Sequence, residues 1–115
     1  MHELSIATNI LEAVRTEAAR HDGGRVVKVG LRLGEFSGVD RESLCFCFEA
    51  LVKDSDLEPL ALDVEHVPHR NRCTHCQHEF DVVDYEITCP KCGALETRCI
   101  GGDEMELAYL ELEQP

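Results

Sequence analysis

The chain has 115 residues and a formal net charge of −12, from 23 Asp and Glu against 11 Lys and Arg. That balance argues against nucleic acid as a partner, because such binding rests on neutralising phosphates with basic side chains. The length suits one compact domain, or a small domain carrying an inserted module, and no apolar segment approaches the length needed to span a bilayer.

Residues 3 to about 21 read as an amphipathic helix. Leu4, Ala7, Leu11, Val14 and Ala18 recur at helical spacing, with Ile6 and Ile10 widening the stripe. Arg15, Arg20 and His21 near its end suit the helix dipole, and Asp22-Gly23-Gly24 stops it. Arg25 to Leu33 alternates as a strand, with Val27, Val29, Leu31 and Leu33 on one face and Val26, Lys28, Gly30 and Arg32 on the other. The mostly polar second face predicts a sheet with one side in water.

Gly34 to Gly38 reads as a turn, in which Glu35 is a solvated residue. Asp40 is placed to N-cap a second helix running to about Lys53. Its inner face is expected to be Leu44, Phe48 and Leu51, with Cys47 and Val52 beside it. Leu60 to Val67 reads as the next strand, Leu62 and Val64 inward, and Pro68 marks its exit. Gly101-Gly102 is a candidate hinge returning the chain to a last strand, Glu104 to Glu113. There the apolar phase shifts from Met105, Leu107 and Tyr109 to Leu110 and Leu112, as a bulge or two-sided burial would require.

Between the last two of these strands stand Cys73-Thr74-His75-Cys76 and Cys89-Pro90-Lys91-Cys92, separated by Gln77 to Thr88. Each Cys-x-x-Cys is a tight turn that can aim two thiolates at one point. Two such turns facing each other make a closed tetrahedral S4 site, which suits structural Zn²⁺, with iron as the alternative occupant. Residues 69 to 100 hold few apolar side chains besides cysteine, so a metal is expected to be part of what folds them. A thioredoxin-type redox role for Cys89 and Cys92 is disfavoured, because no strand–helix–strand pattern surrounds them and a second pair stands opposite. The predicted fold is therefore α+β: two helices packed on a small three-stranded sheet, from 1–68 plus 101–115, with an inserted zinc-ribbon domain at 69–100.

Seven cysteines leave Cys45, Cys47 and Cys99 apparently free, which fits a reducing compartment. No basic stretch followed by an apolar run opens the chain, so a cytoplasmic protein is expected. Cys45 and Cys47, two apart on a helix, point to different sides and cannot share one metal. Cys47 reads as a small buried hydrophobe and Cys45 as half exposed. His75 and His78 read as solvated loop residues and His21 as a dipole partner, while His66 and His69 carry no assignment.

Met1-His2-Glu3 offers a second donor set. The α-amine of Met1, the amide of His2 and its imidazole Nδ1 can close adjacent chelate rings, with the Glu3 amide or carboxylate as a fourth donor. Such nitrogen-rich planar sets suit Ni²⁺ or Cu²⁺. A cation at a helix start meets the positive end of the dipole, which deprotonated amides and Glu3 would have to offset.

Along its length the chain resembles the HypA/HybF family, nickel metallochaperones of [NiFe]-hydrogenase maturation. The resemblance rests on Met-His-Glu-Leu-Ser (1–5), Val-Gly-Leu-Arg-Leu-Gly-Glu-Phe-Ser-Gly-Val (29–39), Phe-Glu-Ala-Leu (48–51), both Cys-x-x-Cys pairs and Gly-Gly-Asp-Glu-Met-Glu-Leu (101–107). It implies a carrier that is not an enzyme. Nickel would lie at Met1, His2 and Glu3, and structural zinc at Cys73, Cys76, Cys89 and Cys92. The implied partners are the GTPase HypB and the [NiFe]-hydrogenase large-subunit precursor, with urease a further client of some members. Nothing functional carries over to Cys45 or Cys47. The alternative from a different class is a zinc-ribbon adaptor or scaffold with no nickel site of its own.

Overall fold

In the computed structural model, which describes residues 3–21 and 24–113, the elements run α1 (Glu3–Ala18), β1 (Arg25–Gly34), α2 (Arg41–Val52), β2 (Ala61–Val67), β3 (Arg70–Cys73), β4 (Glu79–Asp81), β5 (Thr97–Gly101) and β6 (Met105–Glu113). The strands form two three-stranded sheets, β2-β1-β6 and β4-β3-β5. This is the α+β architecture expected, with a Cys-rich ribbon inserted before the last strand. None of the described helices is long and apolar enough to cross a membrane. The chain divides into two units, one of Met1–Arg32, Val39–Glu65 and Glu106–Pro115, the other of Leu33–Gly38 and His66–Met105.

In the first unit α1 packs against α2. Its buried stripe is Ile6, Ala7, Ile10, Leu11 and Val14, while Leu4 is 56 % exposed. The stripe is thus centred closer to Ile6 and Ile10 than the sequence pattern suggested, which turns Leu4 outward in the first turn. The helix also stops at Ala18, three residues early; His21 follows in a closing turn, its N–H donated to the Ala18 carbonyl at 3.1 Å. On α2 the buried residues are Leu44, Phe48 and Val52, one every four, so the stripe winds towards Val52 and leaves Leu51 exposed. Asp40 caps this helix as expected, accepting from Glu42 N–H at 3.2 Å and Ser43 Oγ at 2.8 Å.

Val26 joins Val29 and Leu31 in the core, and Val27 is only half-buried, so the alternation of β1 slips near its start. Leu110 and Leu112 of β6 pack on the same core, whereas Met105, Leu107 and Tyr109 lie more than 40 % exposed. The strand is continuous, and the phase shift in its sequence reflects apolar side chains on both faces. On the wet face the Tyr109 ring lies over Gly30, where any Cβ would collide with it, and its hydroxyl donates to Asp63 on β2. Arg32 likewise spans the sheet, pairing with Glu65 at 3.2 Å and Glu106 at 2.7 Å.

In the second unit β3 is central, with Arg72 opposite Glu79 on β4 and Arg98 on β5. Its small core is Cys73, Phe80, Val82 and Cys89. The chain crosses itself tightly beside this sheet. Gly102 has φ +104, and a Cβ there would stand 2.5 Å from the His69 Cα; one on Gly34 would stand 2.1 Å from the Gly102 carbonyl oxygen. Gly102, in the pair read from composition as a candidate hinge, is thus closely packed against His69 and Gly34.

Candidate metal centre

Both Cys-x-x-Cys turns are built alike. In the first, Gln77 N–H donates to the Cys73 carbonyl at 3.0 Å, and Gln77 has φ +69. In the second, Gly93 N–H donates to the Cys89 carbonyl at 2.9 Å, and Gly93 has φ +79. A left-handed residue just after each pair thus reverses the chain and leaves backbone N–H groups facing sulfur. Those of His75 and Cys76 point to Cys73 Sγ at 3.4 and 3.5 Å, and that of Cys92 to Cys89 Sγ at 3.5 Å. Amides aimed at sulfur favour the thiolate over the thiol.

The four sulfurs converge. Cys73 and Cys92 Sγ are 3.5 Å apart, Cys76 and Cys89 Sγ 3.6 Å, and all four lie within 4.8 Å of one another. A tetrahedral cage with metal–sulfur bonds of about 2.3 Å has sulfurs roughly 3.8 Å apart, so the donor set fits such an ion without rearranging the backbone. Cys73 and Cys89 are buried and Cys92 is exposed.

The electrostatics point the same way. Burial raises the Cys89 thiol, but the N–H groups of Cys92 and Lys91 and the neighbouring thiols outweigh it and bring it down to about 6. Cys73 is also lowered, first by the Cys76 N–H. For Cys92 the Ala94 N–H favours the thiolate, yet the sulfurs of Cys73, Cys76 and Cys89 outweigh it and push the group up to about 12. Four crowded sulfurs cannot all carry charge alone, so protons stay where a divalent cation would otherwise sit.

Of the amino-terminal set, Met1 and His2 lie outside the described residues. Glu3 opens α1, and its Oε2 accepts the backbone N–H of Asp40 at 3.1 Å, which holds its carboxyl below the usual range. Asp40 therefore caps α2 with its side chain and anchors the start of α1 with its backbone.

His75 is an exposed turn residue, as expected, and its Nε2 lies 3.1 Å from the likewise exposed Glu96. His78 stacks on Phe80 with centroids 6.1 Å apart. Cys47 packs against the core of the first unit, and partial burial pushes the half-exposed Cys45 thiol up. Cys99 donates to the Gly101 carbonyl at 3.3 Å. His69, unassigned from sequence, is 8 % exposed and stacked on Phe36. No periodicity announced that contact, because the two residues stand 33 apart in irregular segments.

A family profile described as "HypA: Hydrogenase/urease nickel incorporation, metallochaperone, hypA" matches residues 1–112. Hydrogenase maturation factor HypA of Geobacter metallireducens is 42% identical over 113 residues, covering 98% of this chain and 100% of that protein. Among solved structures, one titled "Solution structure of HypA protein" aligns at TM-score 0.73 and 25% identity, over 100% of this chain and 98% of the other. The solution structure of the Ni metallochaperone HypA from Helicobacter pylori aligns at TM-score 0.65 and 25% identity over the whole of both chains.

Proposed function

Because the chain belongs to the HypA family of hydrogenase maturation factors, we propose that it is a cytoplasmic nickel carrier, not an enzyme, in which one metal shapes the molecule and another is cargo. Cys73, Cys76, Cys89 and Cys92 hold structural Zn²⁺. Four thiolates fill its coordination sphere and leave no open position for exchange or catalysis.

Nickel travels at the amino terminus on the Met1 amine, the His2 amide and imidazole, and the Glu3 amide. The Glu3 carboxylate is already engaged with the Asp40 N–H, so the amide is the donor that needs no side-chain rearrangement. Few ligands on one terminal segment make an exchangeable site, in contrast to the closed cage. Copper outranks nickel for such donors, so selectivity comes from metal supply and docking. GTPase HypB supplies the ion and the [NiFe]-hydrogenase large-subunit precursor receives it; urease is served by some members of the family.

The observation that supports this most is the family match over residues 1–112, which spans both donor sets at once. The test is nickel titration calorimetry on zinc-loaded protein beginning at Met1. His2→Ala, or a few residues added ahead of Met1, should abolish binding while zinc content and circular dichroism stay unchanged. Affinity should fall as pH drops through the imidazole range, about 6.5. Undiminished binding in both variants would overturn this site. A native protein that takes up no nickel would leave a zinc-ribbon adaptor.

A further inference from the structure

In the unit formed by Leu33–Gly38 and His66–Met105, a recess of about 220 Å³ is lined by Glu35, Phe36, His69, Val82, Asp84 and Tyr85. Val82 and His69 are its buried components, at 4 % and 8 % exposure. The His69 imidazole stacks on Phe36 with centroids 4.5 Å apart and planes 13° from parallel. The backbone of His69 is satisfied, its N–H donating to Glu35 Oε2 at 3.4 Å and its carbonyl accepting from Val82 N–H at 2.7 Å. Its ring nitrogens have no hydrogen-bond partner among the described residues, but they are not sealed from solvent: the buried side-chain N or O atom left without a partner there is Asn71 Oδ1.

Two carboxylates stand beside that ring without a Lys or Arg partner. Besides the His69 N–H, Glu35 has His66 Nε2 at 3.6 Å, and Asp84 has no ion pair among the described residues. Elsewhere in the same unit, Arg70 pairs with Asp81 and Arg72 with Glu79. Asp84 and Tyr85 have φ of +52 and +62, in a turn closed by Glu86 N–H to the Val83 carbonyl at 3.0 Å. Tyrosine is poorly suited to that left-handed position. The turn nonetheless leaves its side chain 83 % exposed beside the recess.

We propose that this recess is a docking pocket for an arginine side chain of a partner protein. A free small molecule fits poorly, because such sites usually run from about 300 to 1,000 Å³. A metal ion fits poorly too: among the described residues, only the four cysteines bring three or more ligand atoms together. An anion would face two carboxylates.

A guanidinium matches both the carboxylates and the aromatic rings of the lining. Its plane suits stacking on Tyr85 or on the side of Phe36 turned away from His69. Its fork of N–H donors meets Glu35 and Asp84. Lysine, a compact point charge without a planar face, matches fewer of these contacts. The chain's net charge of −12 would draw a basic partner surface towards it. This pocket stands whether or not nickel binds at Met1, His2 and Glu3.

The test titrates the ¹⁵N-labelled, zinc-loaded full chain with blocked Gly-Arg-Gly amide, followed by ¹H–¹⁵N correlation spectra, with Gly-citrulline-Gly and Gly-Lys-Gly as comparators. Saturable shifts are expected at Glu35, Phe36, His69, Val82, Asp84 and Tyr85. Citrulline, which keeps the shape and loses the charge, should bind at least about tenfold more weakly. The Glu35→Gln/Asp84→Asn double variant should lose saturation while retaining zinc and a native spectrum. An equal response to citrulline or lysine overturns the proposal. So do shifts spread over the acidic surface, no saturation, or unaltered binding by the double variant.

Discussion

Replacing one cage sulfur by oxygen should expose how the four cysteines share the metal. Structural zinc contributes about 10–16 kcal/mol in small zinc-binding units, so an equal share per ligand is about 2.5–4 kcal/mol, or two to three decades of affinity. Cys92→Ser should lose about that much and little else, because Cys92 is exposed. Cys89→Ser should lose the same and also destabilise the fold. Cys89 is 2 % exposed, packs with Cys73, Phe80 and Val82, and would leave a hydroxyl in that small apolar core. The assays are competition for zinc with a chromogenic chelator and amide exchange across 66–105. Affinity changes below about tenfold for both variants would refute a cage with four equivalent ligands. Equal protection of the two variants would refute the asymmetry between the buried and exposed sulfurs.

The thiol groups also set a direction for pH. At pH 7 Cys89, near 6, is largely thiolate, whereas Cys92, near 12, keeps its proton until metal displaces it. Zinc uptake should therefore release protons and tighten as pH rises, measurable by calorimetry in buffers of different ionisation enthalpy; a pH-independent affinity would contradict it. Phe48→Ala empties a fully buried position in the first unit and should cost about 3–5 kcal/mol, lowering the urea midpoint by roughly 2 M if m is about 2 kcal/mol/M. Gly102→Ala should destabilise the second unit by more than the roughly 1–3 kcal/mol of backbone strain at a positive φ, since its Cβ would also meet the His69 Cα at 2.5 Å; thermal unfolding that matches the parent would refute the close crossing.

Local rules determined much of this protein directly. Cys-x-x-Cys spacing specified the two sulfur turns, because chain geometry forces thiols three apart to one side of a reversal. Asp40 announced a helix cap, and the α+β order followed from the switch between helical and alternating apolar patterns. Where two residues had equal claims to the interior, however, pattern alone chose wrongly: Leu4 and Leu51 sit at the rims of their stripes, and the packing of α1 with α2 decided which rim stayed in water. Both faces of β6 are apolar, so only the sheet order could show that Leu110 and Leu112 turn to the core while Tyr109 crosses Gly30 to reach Asp63. The recess around His69 was invisible beforehand for the same reason. It gathers 35–36, 69 and 82–85 from three irregular segments, and contacts between such segments depend on how distant chain crossings close, which no local periodicity encodes.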